Sequence, residues 1–119
     1  MIDNESGEDY LEAILRLLGE GKDVHAVDIA RRLNVSKPAV TKAMRILSQK
    51  GYVEITDNHI HLTEAGRMYA ESVYAKHTLL TGFLLKLGVP AETAEADACR
   101  MEHLLSDETL EAVRKFMEE

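Results

Sequence analysis

The chain has 119 residues, 14 Lys and Arg against 21 Asp and Glu, a net charge of −7, 45% hydrophobic residues and a single cysteine. The apolar share supports a packed core in one or two small domains and excludes disorder as the main state, while one cysteine excludes a disulfide framework or a four-cysteine zinc module. No apolar run approaches the ~18 residues of a membrane span, and the acidic start MIDNESGEDY lacks the basic and then apolar pattern of a signal peptide, so a soluble cytoplasmic protein is expected.

Ser6-Gly7-Glu8-Asp9 sets a hydroxyl cap before an acid and predicts the start of a first helix, with Tyr10, Leu11, Ile14, Leu15, Leu17 and Leu18 at helical spacing and Gly19 and Gly21 closing it. Val27 to Leu33 reads as a short second helix with Ile29, Ala30 and Leu33 inward. Asn34, which tolerates the left-handed conformation, ends it, and Val35 is expected to pack in the turn. Ser36 predicts the cap of a third helix, with Pro38 in its first turn and Val40, Ala43, Met44 and Leu47 as its buried stripe up to Gly51.

Beyond Gly51 the period becomes alternating. Val53 and Ile55, then Ile60 and Leu62, flank a polar tip Thr56-Asp57-Asn58-His59, which predicts a β-hairpin. Thr63-Glu64-Ala65-Gly66 opens a long fourth helix running to about Leu87, stopped by Gly88 and Pro90, and two more helices are expected at roughly 91–105 and 107–117. The expected fold class is mainly α: an N-terminal winged helix-turn-helix with a small β-hairpin wing over residues 1–63, then an all-α domain over residues 64–119.

Charge is segregated along this frame. Between Ile29 and Val53 stand Arg31, Arg32, Lys37, Lys42, Arg45 and Lys50 without one Asp or Glu, whereas residues 1–28 hold eight acids against two bases and residues 88–119 nine against three. A positive island between acidic ends points to a polyanion partner for the middle and a cation partner for the ends. With the third helix's apolar stripe inward, its outward face carries Lys37, Ala39, Thr41, Lys42 and Arg45. Ser36, Pro38, Ala39 and Thr41 are short enough for a major-groove approach, the three cations reach phosphates or guanine edges, and the wing tip Asn58-His59 touches backbone or minor groove. The partner read from this pattern is double-stranded DNA.

Among the acids, Asp9 and Glu12 share one face of the first helix. Cys99, Glu102 and His103 stand at i, i+3 and i+4 on the fifth, setting a thiol, a carboxylate and an imidazole on one stripe. His77 lies in the long helix beside Leu79-Leu80, where an unpartnered polar group would be costly if buried. Taken singly each has an ordinary explanation: a capping acid, a partner for Arg16, an inert cysteine, a histidine on a carbonyl.

Several segments resemble, in order over nearly the whole chain, the metal-dependent repressors of the diphtheria toxin repressor and manganese transport regulator family. They are Glu8-Asp9-Tyr10-Leu11-Glu12-Ala13-Ile14, Asp28-Ile29-Ala30, Val40-Thr41-Lys42, Leu62-Thr63-Glu64-Ala65-Gly66, Lys76-His77 and Ala98-Cys99-Arg100-Met101-Glu102-His103-Leu104-Leu105-Ser106. The resemblance implies a homodimeric repressor of metal-uptake genes acting on a pseudo-palindromic operator, with dimerisation and metal binding in the second domain. It implies Asp9, Glu12, His77, Cys99, Glu102 and His103 as metal ligands. The chain is a hybrid by this measure: Asp9 matches manganese-type members and Cys99 iron-type members, so Fe(II) or Mn(II) is the expected ion. Two positions of the iron-type ancillary site fall on Thr81 and Glu95, leaving Glu95 as its one candidate ligand here. With the sequence ending at Glu119, the SH3-like third domain of longer iron-type members is not expected.

The rival readings are a winged-helix regulator that senses redox state or a small molecule through Cys99 without metal, and a metal-dependent hydrolase on the same ligands. The hydrolase ranks last because no nucleophile or base stands at recognisable spacing, so no enzymatic activity is expected.

Overall fold

A computed structural model describes residues 3–119, with side chains from Gly7 onward. These residues form α1 (Asp3–Gly19), α2 (Ala26–Leu33), α3 (Lys37–Gln49), the hairpin β1 (Val53–Thr56) and β2 (His59–Leu62), α4 (Glu64–Lys86), α5 (Ala91–Met101) and α6 (Asp107–Glu118). The fold is the mainly α arrangement expected, and no described helix is long and apolar enough to cross a membrane. The chain divides into two units, one up to Glu71 and one from Ser72 onward.

The first unit is built on one apolar cluster. Leu11 and Ile14 of α1, Ile29 of α2, Val40, Met44 and Leu47 of α3, Val53 and Ile60 of the hairpin, and Ala70 of α4 pack together. Asn34 ends α2 in the left-handed conformation at φ 56°, and Ser36 caps α3 by accepting from the Ala39 N–H at 3.2 Å. Asp57 and Asn58 both take positive φ, the two-residue turn whose twist suits a hairpin, and pair Thr56 with His59 and Ile55 with Ile60.

Two expectations need correction. Helix α1 begins at Asp3, so Ser6 lies within it and is not its cap; a hydroxyl followed by an acid marks a helix start only where the chain before it leaves the helix. Val35 is exposed rather than packed in the turn, because the left-handed Asn34 turns the chain outward before Ser36.

The Leu62-Thr63-Glu64-Ala65-Gly66 segment has a clear physical reason. Thr63 donates its hydroxyl to the Gly51 carbonyl at 2.6 Å, its own N–H bonds Tyr52 O at 3.0 Å, and its Oγ1 accepts from Gly66 N–H at 3.0 Å. One residue thus ties the end of α3, the hairpin and the start of α4. The approach is so close that a Cβ on Gly66 would stand 1.9 Å from Tyr52 O, a backbone atom that cannot swing away. Gly66→Ala is therefore expected to lower unfolding stability by about 2 kcal/mol, checked by urea denaturation, even though alanine favours a helix.

Helix α1 is also pinned from α4. Tyr69 donates to Glu8 Oε2 at 2.8 Å and meets Tyr52 edge-on. Burial first, and the Glu8 carboxylate next, push the Tyr69 hydroxyl up to about 12, so it remains a donor at physiological pH. In the second unit Leu80 and Leu84 of α4, Ala94 and Ala98 of α5 and Leu110 of α6 form a separate core, with Phe83 edge-on to Phe116.

Candidate metal centre and nucleic-acid interface

The second core holds its polar groups where α4 meets the end of α5. Small residues at Ala94 and Ala98 let the helices approach, and beside them His77 and Glu102 are 3% and 1% exposed. The His77 Nδ1 lies 3.1 Å from Glu102 Oε2, its Nε2 lies 2.8 Å from Glu95 Oε1, and His103 Nε2 lies 3.4 Å from Glu102 Oε1. Burying a carboxylate is costly unless it is paired or bound to metal, and Glu102 sits between two imidazoles.

Cys99 joins this set while remaining exposed. One donor atom each from His77, Cys99 and Glu102 lies within 4.8 Å of the others. Donors sharing one ion stand about 3 to 5 Å apart, so these three fit a divalent cation as they stand. An imidazole, a thiol and a carboxylate form a mixed set suited to a borderline transition metal.

The expectation of a fifth helix reaching about 105, with Cys99, Glu102 and His103 all on it, needs correction: α5 ends at Met101, and Glu102 and His103 lie in the turn after it. Glu102 keeps helical dihedrals of φ −62° and ψ −21°, and the chain then tightens, with Leu104 N–H bonding Met101 O at 3.0 Å. Donor atoms of Cys99 and Glu102 therefore lie within 4.8 Å of each other although the regular helix has stopped. Ser106 follows at once as the cap of α6.

The remaining expected ligands, Asp9 and Glu12, stand on α1 in the first unit, where Glu12 is buried and Arg16 Nη2 reaches its Oε2 at 2.9 Å. Of the ancillary positions, Glu95 contacts His77 directly, and Thr81, one turn beyond His77 on α4, has a buried Oγ1. The Glu95–His77 contact joins residues 18 apart through the packing of two helices, and no local pattern announces it.

The nucleic-acid face lies in the first unit. Ser36, Lys37, Pro38, Thr41, Lys42 and Arg45 are exposed, Ala39 is half-buried, and Val40, Met44 and Leu47 turn inward as the periodicity requires. Between α3 and the wing runs a groove of about 470 Å³ lined by Lys37, Thr41, Asn58 and His25 among others. Asn58 is exposed at the wing tip and His59 half-buried. Sequence reasoning missed His25 on this wall; the signal was His25-x-x-Asp28, in which Asp28 Oδ2 accepts from His25 N–H at 2.8 Å.

A winged helix-turn-helix followed by a helical unit with a buried His-Glu-His set and a neighbouring thiol defines a metal-dependent transcriptional regulator. Residues 4–59 match the family domain described as the iron dependent repressor, N-terminal DNA binding domain, and residues 63–119 match the iron dependent repressor, metal binding and dimerisation domain. The chain is 40% identical over 110 residues to the transcriptional regulator MntR of Escherichia coli O6:H1, covering 92% of this chain and 71% of that protein. It is 36% identical over 106 residues to the iron-dependent repressor IdeR of Mycobacterium bovis, covering 87% of this chain and 46% of that protein. The structure of the manganese regulator SloR superposes with a TM-score of 0.84 at 32% identity, over 94% of this chain and about half (53%) of that one. The chain belongs to the iron-dependent repressor family, that of the diphtheria toxin repressor and the manganese transport regulator, and is a metal-dependent transcriptional repressor. A metal-free sensor built on Cys99 is not favoured.

Proposed function

We propose that the protein is a homodimer that represses metal-uptake genes when loaded with Fe(II) or Mn(II), binding a pseudo-palindromic operator in the cytoplasm and performing no enzymatic reaction. Residues 1–63 read DNA, and residues 64–119 hold the metal and the dimer partner. The observation that carries this reading is Glu102, a carboxylate 1% exposed between His77 and His103 with Cys99 beside it.

In this reading His77, Cys99, Glu102 and His103 hold the ion, and the family resemblance adds Asp9 and Glu12. A bound cation supplies positive charge that offsets the carboxylates and the thiolate. Glu102 and the imidazoles are held by the second core, and exposed Cys99 is the member that solvent reaches. The thiolate leans towards Fe(II), while the carboxylates of Asp9 and Glu12 suit Mn(II) equally well.

The link to DNA runs through α1. Leu11 and Ile14 of α1 pack against Ile29 of α2 and Met44 of α3, so a helix whose other face carries Asp9 and Glu12 also underlies the DNA-reading pair. Recruiting α1 to the ion orders that pair, and metal favours the DNA-competent form by its differential affinity for the two states. Glu95 is kept as a candidate ancillary ligand through His77.

The test is calorimetric titration of demetallated protein with Mn(II) and, anaerobically, Fe(II), followed by gel retardation of DNA enriched from a random pool on the Mn(II)-loaded protein. Binding of both ions is expected, with retardation only in their presence. Retardation undiminished by excess chelator overturns the reading.

A further inference from the structure

Three of the five histidines are not used by the centre at α4 and α5, and they gather on the wing. His59 and His61 alternate with buried Ile60 on β2 and so share its outer face. The Ile60 N–H bonds Val24 O at 2.8 Å, which lays the segment before α2 alongside β2 and brings His25 against His59. The His25 and His59 ring centroids are 4.6 Å apart, and those of His59 and His61 are 6.4 Å apart. Opposite His61 on β1 stands Glu54.

From these positions we propose a second divalent-cation site, formed by the imidazoles of His25, His59 and His61, that takes a borderline metal of the Zn(II) type and bridges the wing to the start of α2. Two imidazoles on one tetrahedral ion at the usual metal–nitrogen length have ring centroids about 5 Å apart. The observed separations fall on either side of that value, and rotation of exposed His61 and of half-buried His25 and His59 within their rotamer wells brings the three ring nitrogens together. A third donor reaches the site from a different element, so the ion ties two pieces of chain together.

Asp28 strengthens the assignment. Its Oδ2 lies 3.5 Å from His25 Nδ1, placed to accept that nitrogen's proton in the tautomer whose Nε2 ligates. Carboxylates on the far nitrogen of metal-binding histidines orient the ring and raise its basicity. Three neutral imidazoles select Zn(II) over Mn(II), which prefers oxygen donors, so this site differs in kind from the centre at Glu102. His25 also lines the groove with Lys37, Thr41 and Asn58, so an ion there adds positive charge beside the DNA-facing wall and holds the wing in place.

The experiment uses the full chain with Zn(II) as the probe, read by competition with a chromogenic chelator and by NMR of the histidine rings. Wild type, Glu102→Gln, the double variant His59→Gln/His61→Gln and Asp28→Asn are compared, with circular dichroism confirming the fold. The double variant is expected to bind one Zn(II) fewer than wild type, and Asp28→Asn to weaken that equivalent about tenfold. Glu102→Gln is expected to leave the Zn(II)-induced shifts of His25, His59 and His61 in place, which separates this site from the proposed metal centre. Equal Zn(II) stoichiometry in wild type and a folded double variant, or wing histidine signals that do not move with Zn(II), overturns the proposal.

Discussion

Glu102→Gln should weaken Mn(II) binding by at least about 100-fold, close to 3 kcal/mol, while leaving the metal-free protein as stable as wild type or more so. The two halves of this expectation have one cause. Glutamine keeps the size of the side chain and removes a charge that is 1% exposed. In the absence of metal a carboxylate there is desolvated, and glutamine relieves that cost while keeping hydrogen-bonding atoms against His77 at 3.1 Å and His103 at 3.4 Å. In the presence of metal the same change removes an anionic ligand. Thermal unfolding with and without Mn(II) reads both effects, since an ion bound only to the folded state raises the midpoint. A variant that keeps its Mn(II)-induced rise would show that Glu102 is a structural acid.

Replacing Lys37, Lys42 and Arg45 together by alanine should reduce DNA affinity about a thousandfold per bound protomer at ~0.1 M salt. A cation on a phosphate contributes a salt slope of nearly one, hence roughly a factor of ten per contact across one decade of salt. All three residues are exposed on α3, whose core face is Val40, Met44 and Leu47, so stability should change by less than about 0.5 kcal/mol. The salt dependence of binding should flatten by about three per protomer. Unaltered affinity and slope would move the DNA-reading surface elsewhere.

Much of the first unit was legible because its signals are local. Asn34 and Ser36 punctuate the two helices, Val40, Met44 and Leu47 repeat at helical spacing, and the alternation around Asp57-Asn58 gives both the hairpin and its turn. Cys99, Glu102 and His103 were legible for the same reason, since spacing maps directly onto a helical face. His77 entered the ligand set only through family resemblance, because its approach to Glu102 depends on how α4 packs on α5. Glu95 against His77 and His25 against His59 are likewise long-range outcomes, the latter set by a backbone hydrogen bond from Ile60 to Val24. The start of α1 at Asp3 and the exposure of Val35 were missed where a local motif fits more than one chain path.

Coupling between metal binding and DNA binding is reciprocal: DNA must tighten metal binding by the same factor that metal tightens DNA binding. The direct measurement is the Mn(II) affinity of the full chain, alone and saturated with its selected DNA. An increase of about 10- to 100-fold on adding DNA, equal to the gain in DNA affinity on adding Mn(II), is predicted. The same Mn(II) affinity with and without DNA would contradict it.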